Sequence, residues 1–168
     1  MLLTGCALSA EQSRISWAQR QGPEITDERL QRVKLAGQML GAQGAGLTYH
    51  VLQNGSVTAY SWPSGDVYVS SGLIDRASDA EIAAAIAHEL GHLMKELPKP
   101  AAAGLGGPSA LQVEMEADAY GASILQKQGL KDSLLISLLQ KVADATASSQ
   151  CRGDIAERIH TLEASAGR

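Results

Sequence analysis

The chain has 168 residues, of which 45% are hydrophobic and 19% charged, a composition typical of one globular domain with a buried core. The net charge of -4 offers no basic stripe of the kind that nucleic-acid-binding proteins carry. We expect neither nucleic acid nor a nucleotide as partner. No apolar run reaches the length of about 18 residues that a membrane-spanning helix needs, so any membrane attachment would require another anchor.

The N-terminal residues carry a signal of their own. Leu-Thr-Gly-Cys, ending at Cys6, resembles the lipobox of bacterial lipoproteins, in which the cysteine is lipidated. Too few residues precede Cys6 for a signal peptide, so we expect the sequence to start late and the precursor to be a lipid-anchored protein of the bacterial cell envelope. The alternatives are a disordered stub, or a disulfide to Cys151 in an oxidising compartment. Residues 1–22 would be lipobox and tether, and residues 23–168 the domain.

The first helix is predicted to begin at Pro23. Proline suits the first turn of a helix, and acids such as Glu24 and Asp27 are favoured near its positive end. The glycine-rich stretch 41–46 would end it. Its buried face would consist of Leu30, Val33, Leu35 and Leu40.

A small sheet should follow. Residues 47–53 and 56–62 flank Asn54-Gly55, the strongest short hairpin signal. Residues 66–71 would add a third strand after a Pro-Ser-Gly turn. We therefore predict an α+β fold in which about five helices surround a three-stranded antiparallel sheet.

The helix predicted next carries the chemistry. Ser78 and Glu81 form a capping-box signature at its start. His88 and His92 are four residues apart, so both imidazoles project from one face and can bind one metal ion, with Glu89 able to reach water on that ion. Gly91 within this helix suggests a close neighbour, because glycine lowers helix stability. The alternative is a chance HExxH pattern on an ordinary core helix.

A second acidic cluster can complete the site. Catalytic zinc takes three protein ligands and leaves the fourth position for water. Glu114 and Asp118 are four residues apart on a predicted helix, 109–128, so that Glu114 could be the third ligand and Asp118 could accept the N–H of a ligand histidine. Glu116 would point away as a solvated charge.

The HELGH run at His88 followed by ExEAD at Glu114 resembles the zinc metallopeptidase family of HtpX, the CaaX prenyl proteases and the BepA/LoiP-type periplasmic lipoproteins. The resemblance covers about residues 24–125. It implies a gluzincin-like peptidase domain with one zinc ion bound by His88, His92 and Glu114. It also implies Glu89 as the general base and Asp118 behind a ligand histidine.

The C-terminal part departs from this family. Two helices are predicted at 132–145 and 154–164, and the loop at 97–108 is a linker or a gate over the cleft. Family members often carry a His-Pro pair before an Arg-Ile, and here Cys-Arg-Gly-Asp at 151–154 stands in its place. Arg158 is therefore either an oxyanion or carboxylate partner, or a solvated charge. His50 and His160 are interpreted as structural.

The motifs and the resemblance together favour a zinc endopeptidase that acts on unfolded or misassembled envelope proteins and faces the periplasm. By resemblance, the strand at 57–62 would pair with an extended substrate, unless Tyr60 and Trp62 only pack the sheet. A zinc-containing chaperone or assembly factor that binds peptides without cleaving them remains the main alternative. A structural zinc domain is the other, although such sites usually add a fourth ligand and neither cysteine lies near the motif in sequence.

Overall fold

The computed structural model describes residues 10–94 and 110–166. Cys6 and the predicted loop at 97–108 lie outside these residues. The described helices are α1 (Ala10–Gln21), α2 (Glu28–Gln38), α3 (Ala42–Ala45), α4 (Ser71–Ile74), α5 (Asp79–Met94), α6 (Ala110–Lys127), α7 (Ser133–Ala145) and α8 (Ser149–Ala166). The strands are β1 (Glu24–Ile25), β2 (Thr48–Leu52), β3 (Ala59–Ser61) and β4 (Asp66–Ser70). The α+β class agrees with the prediction, but the described residues contain more helices and strands than predicted.

The sheet is mixed, with strand order β1-β2-β4-β3. β2 and β4 are parallel, whereas β1 pairs with β2 and β3 with β4 in antiparallel fashion. The predicted hairpin is wrong because Asn54 binds elsewhere: its carbonyl accepts the N–H of Gly72 at 2.8 Å and its side chain accepts the N–H of Ser56 at 2.9 Å. This local turn contacts α4 through Gly72 and leads the chain away from β2. β3 therefore pairs with the edge of β4 that β2 does not occupy.

The N-terminal region also differs from the prediction. Residues 11–22 were expected to be an irregular tether, but most of them form α1. Its side chains hold it to the sheet, since Trp17 packs edge-on against Tyr68 and Arg14 lies 3.4 Å from Asp66. Such tertiary contacts override a polar, weakly periodic sequence.

The predicted helix start at Pro23 is wrong by several residues. Glu24 and Ile25 form β1, and α2 begins only after Asp27, whose side chain accepts the N–H of Arg29 at 2.9 Å as an N-cap. One residue of the predicted apolar face is misplaced: Leu35 is 46% exposed, while Val33 is fully buried.

Helix α5 lies at the centre of the core, where its residues from Ile82 to Ala87 are almost entirely buried. Its start confirms the capping box, because Glu81 accepts the N–H of Ser78 at 2.7 Å and Ser78 Oγ accepts that of Glu81 at 3.3 Å. The carboxylate of Glu81 also accepts a hydrogen bond from Ser137 of α7. α5 is thereby fixed to its own cap and to a neighbouring helix.

Two glycines let α5 and α6 approach closely. A Cβ on Gly91 would lie 2.6 Å from the carbonyl oxygen of Ala117, and one on Gly121 would lie 3.0 Å from the backbone nitrogen of His88. The close neighbour expected at Gly91 is therefore the backbone of α6. This approach brings the motif residues of the two helices to the same place.

The last three helices follow the prediction with one change. α6 and α7 match within about a residue at each end, but α8 begins at Ser149, five residues before the predicted start. α7 packs against α5 and α6, and α8 packs against α6 and α7. None of the helices in the described part of the chain has the length and hydrophobicity needed to cross a membrane.

Candidate metal centre

Three side chains from α5 and α6 converge where these two helices pack together. His88 Nε2 lies 3.1 Å from His92 Nε2. One carboxylate oxygen of Glu114 lies 3.3 Å from His88 Nε2, and the other lies 3.6 Å from His92 Nε2. The structure thus brings together the three residues that the sequence proposed as ligands.

These distances fit a four-coordinate metal ion. Zinc binds nitrogen and oxygen at about 2.0 to 2.2 Å in a tetrahedron, so its ligands lie about 3.3 to 3.6 Å from one another. The carboxylate of Glu89 is a further donor, since it lies within 4.8 Å of the nitrogens of His88 and His92. The shorter distances from Glu114 make it the better third ligand, and Glu89 would then be free to act on a water bound by the ion.

A buried ion pair supports the triad from behind. Asp118 is 2% exposed, and its Oδ1 lies 2.8 Å from His88 Nδ1. Arg158 of α8 donates to both oxygens of Asp118, from Nε at 2.7 Å and from Nη2 at 2.8 Å. Its Nη1 lies 3.1 Å from Glu114. This arrangement fixes the orientation of two proposed ligands, as partners of ligand histidines do in metal sites.

The contacts distinguish between the roles considered for Arg158. All three of its guanidinium nitrogens lie beside Asp118 or Glu114, and its side chain is only 13% exposed. These contacts favour a carboxylate partner over a solvated charge. They direct the guanidinium to these two carboxylates, although Arg158 also lines the cavity beside the triad. The resemblance is what suggests an oxyanion role for it.

The carboxylates and Arg158 dominate the electrostatics. Burial alone would raise the pKa of Asp118, but hydrogen bonds from Arg158 and His88 outweigh it and lower the pKa to about 2. Burial would likewise raise the pKa of Glu114, and the hydrogen bond with His88 reverses this. Both acids are therefore ionised near neutral pH. Because its pKa is lowered on folding, ionised Asp118 stabilises the folded state. This stabilisation is fully present above about pH 4 and is lost as the pH falls toward 2.

The two histidines respond in opposite directions. Burial would lower the pKa of His88, but its hydrogen bonds with Asp118 and Glu114 raise it to about 10. Burial, and then the charge on His88, lower the pKa of His92. Because a metal ion binds only the unprotonated ring, we expect metal uptake to release the proton of His88.

Replacement of Asp118 by alanine should weaken the metal site without emptying it. Loss of such a partner typically costs about 10- to 100-fold in metal affinity, which competition with a zinc-sensitive dye would measure. Asp144→Ala, which removes an exposed acid from α7, serves as the control, and a thermal melt checks the fold. Unchanged zinc affinity in a folded Asp118→Ala protein would show that this carboxylate does not orient His88.

The triad opens into a cavity of about 1070 Å³. His88, Glu89 and His92 line it together with residues 57–63. Ser61 Oγ donates to the backbone carbonyl of Glu89 at 3.3 Å, which holds β3 against α5. The chain from 57 to 62, proposed as a substrate-binding edge, therefore borders the cavity directly, and β3 lies at an edge of the described sheet.

Trp17 is an aromatic cavity residue that no motif in the sequence predicts. Trp17 of α1 lines the same cavity, although it lies far from the motifs in sequence. The sequence feature that indicates a packed position is a tryptophan within a polar stretch, because tryptophan side chains are largely buried on average.

The remaining histidines lie elsewhere. His50 binds Glu24 through Nδ1 at 2.7 Å and Asp66 through Nε2 at 2.8 Å. These nitrogens are on opposite sides of the ring, so the two acids and His50 cannot bind one ion together. His160 is exposed. Neither histidine is part of the metal centre, and their structural interpretation stays a prediction.

Glu116 and Cys151 are also outside the centre. Glu116 is half-buried on α6 and does not line the cavity. Cys151 of α8 is half-buried and forms no disulfide within the described residues. The proposed disulfide partner, Cys6, lies outside the described residues.

Comparison with known proteins supports the chemistry that this geometry suggests. Residues 24–96 match the profile of peptidase family M48. The match supports a zinc metallopeptidase. It spans less than half of the chain and includes His88, Glu89 and His92, but ends before Glu114. No curated protein matched the chain.

Proposed function

We propose that this protein is a zinc-dependent endopeptidase that cleaves unfolded or misassembled proteins of the bacterial cell envelope. The observation that carries the proposal is the convergence of two histidine nitrogens and the Glu114 carboxylate, with separations of 3.1 to 3.6 Å, beside Glu89 and an open cleft. The M48 match supports the peptidase class. The envelope substrate follows from the resemblance to periplasmic lipoproteins.

The residues divide the work of hydrolysis between them. When bound, zinc would lower the pKa of a coordinated water toward about 7 and polarise the scissile carbonyl. Glu89 accepts the proton of the attacking water and passes it to the leaving amine. Asp118 and Arg158 keep His88 and Glu114 in position throughout. The edge strand β3 binds the substrate backbone beside Glu89.

A peptide-binding module without proteolysis is the second candidate. The observation in its favour is that Arg158 forms ion pairs with Asp118 and Glu114. Because the His-Pro pair is absent, Arg158 is the only residue of α8 proposed to stabilise the oxyanion. In this alternative, the same cleft would hold unfolded segments without cleaving them.

Digestion of casein separates these candidates. We expect the purified protein to cleave casein, to lose this activity with a chelator and to regain it on addition of zinc. Absence of cleavage in a zinc-loaded, folded protein would favour the binding module. Cleavage that a chelator does not affect would exclude a metallopeptidase mechanism.

We also propose that the protein is anchored to the envelope through lipid on Cys6, in the outer membrane where the organism has one. When expressed from its full precursor, the Cys6→Ser variant should move from the membrane fraction to the soluble fraction, whereas Cys151→Ser should not. Absence of an acyl group on Cys6, found by mass spectrometry of the wild-type protein, would contradict the anchor.

A further inference from the structure

Three aromatic side chains form a continuous surface beside the edge strand. Trp17 of α1 packs edge-on against Tyr60, with ring centroids 4.9 Å apart, and against Trp62, at 5.8 Å. Tyr60 is 38% exposed. All three line the cavity that also contains His88 and Glu89. We call Trp17, Tyr60 and Trp62 the aromatic shelf.

The backbone of β3 is oriented for pairing with a further strand. The N–H of Trp62 donates to Asp66 at 2.9 Å, and Thr58 accepts the N–H of Ser70 at 3.1 Å. In an antiparallel pair these bonds alternate along the strand. The main-chain groups of Ala59 therefore point away from β4, toward the cavity that this residue lines.

Side-chain alternation separates the two faces of β3. Tyr60 and Trp62 lie on the face covered by Trp17, whereas Ser61 points to α5 and donates to Glu89. A peptide that pairs with β3 must alternate in the same way, because neighbouring strands in a sheet share their pleat. Every second side chain of such a peptide would lie over the aromatic shelf, and the intervening ones would face α5.

This inference rests on the proposed peptidase function and names what the cleft selects. We propose that the aromatic shelf binds a large apolar side chain of the extended substrate, so that substrates with such a residue at one position near the scissile bond bind more tightly. Aromatic rings offer a large apolar contact area with a defined geometry. None of the three shelf side chains carries a charge, so an acidic or basic side chain would lose its hydration there without gaining an ion pair. Trp17 thus makes α1 part of the substrate site.

Matched peptides test this selection. The probes are fluorogenic peptides based on a casein cleavage site. At each position in turn, a peptide with leucine is compared with one in which that leucine is changed to serine or aspartate. At one position we expect this change to raise KM about 10-fold, the size expected for loss of one large apolar contact, with little change in kcat. Trp17→Ala should raise KM for the leucine peptide by a similar factor and have little effect on the serine peptide. Trp17→Phe should restore most of the difference.

Ile15→Ala is the control variant, because Ile15 is an exposed residue of the same helix that does not line this cavity. It should leave KM for both peptides unchanged. Equal KM values for leucine and serine peptides at every position, or a Trp17→Ala effect that is the same for both, would overturn the proposal. A circular dichroism melt establishes that each variant is folded.

Binding without cleavage provides an independent readout. Trp17 and Trp62 are the two tryptophans of the chain, so intrinsic fluorescence reports directly on the shelf. In the Glu89→Gln protein, the leucine peptide should change this fluorescence with a Kd about 10-fold lower than that of the serine peptide. If no peptide is ever cleaved but this difference is present, the peptidase function fails and the shelf stands. If peptides are cleaved and bind with equal Kd, the shelf fails alone.

Discussion

Glu89→Gln should abolish most peptidase activity while the protein keeps its zinc. General-base catalysis contributes roughly 10² to 10⁴-fold to the rate, and glutamine preserves the volume of the side chain but cannot accept the proton. Glu89 is 7% exposed and lies within 4.8 Å of the histidine nitrogens, so this replacement removes a carboxylate directly beside the proposed metal site. Casein cleavage and zinc content of the same preparation measure the two effects separately.

The matched control for this variant is Glu157→Gln, which changes an exposed glutamate of α8. It should retain wild-type cleavage. Wild-type peptidase activity in Glu89→Gln would exclude Glu89 as the base. A variant without peptidase activity that still performs the biological function in cells would instead support the peptide-binding module.

Glu114→Ala should remove most of the zinc from the purified protein. It deletes the only carboxylate that approaches both histidine nitrogens within 3.6 Å among the described residues. Two histidines alone leave the ion with too few protein ligands for a catalytic site. The variant also removes one of the two carboxylates that pair with Arg158. A thermal melt must therefore accompany the elemental analysis to show that the protein is folded.

Glu116→Ala is the matched control, because it removes an acid of the same helix that does not line the cavity. This protein should bind as much zinc as wild type. Equal zinc content in the Glu114→Ala and Glu116→Ala proteins would refute Glu114 as the third ligand. Glu89 would then be the remaining candidate among the carboxylates near the histidines.

The helices that hold the centre were predictable because their signals are local. The capping box at Ser78 and the spacing of His88 and His92 depend on residues within a few turns of each other. Gly91 could also be interpreted, since a glycine in a helix interior indicates a close neighbour. These rules place the ligand residues on faces of helices without any knowledge of the remaining chain.

The sheet was less predictable because strand pairing depends on distant residues. Asn54-Gly55 favours a hairpin locally, but the hydrogen bond from Gly72 to Asn54 comes from a residue well downstream. β2 instead pairs in parallel with β4 over its whole length. Likewise, α1 is held by contacts of Trp17 with β3, which a polar stretch gives no means to anticipate.

The site was predictable as a set of residue types, and its support was not. The ExxAD spacing indicated which carboxylates face the histidines, as the structure has them. The position of Arg158 between Asp118 and Glu114 depends on the packing of α8 against α6. No spacing rule links residues so far apart in sequence.

The proposed zinc centre is tested most directly by the zinc content and ligand environment of the wild-type protein, measured by elemental analysis and X-ray absorption spectroscopy. We expect one zinc ion per chain, bound by two imidazole nitrogens and by carboxylate or water oxygen, without sulfur. A folded protein that binds no zinc at micromolar concentration, or a zinc ion bound by a cysteine sulfur, would contradict it.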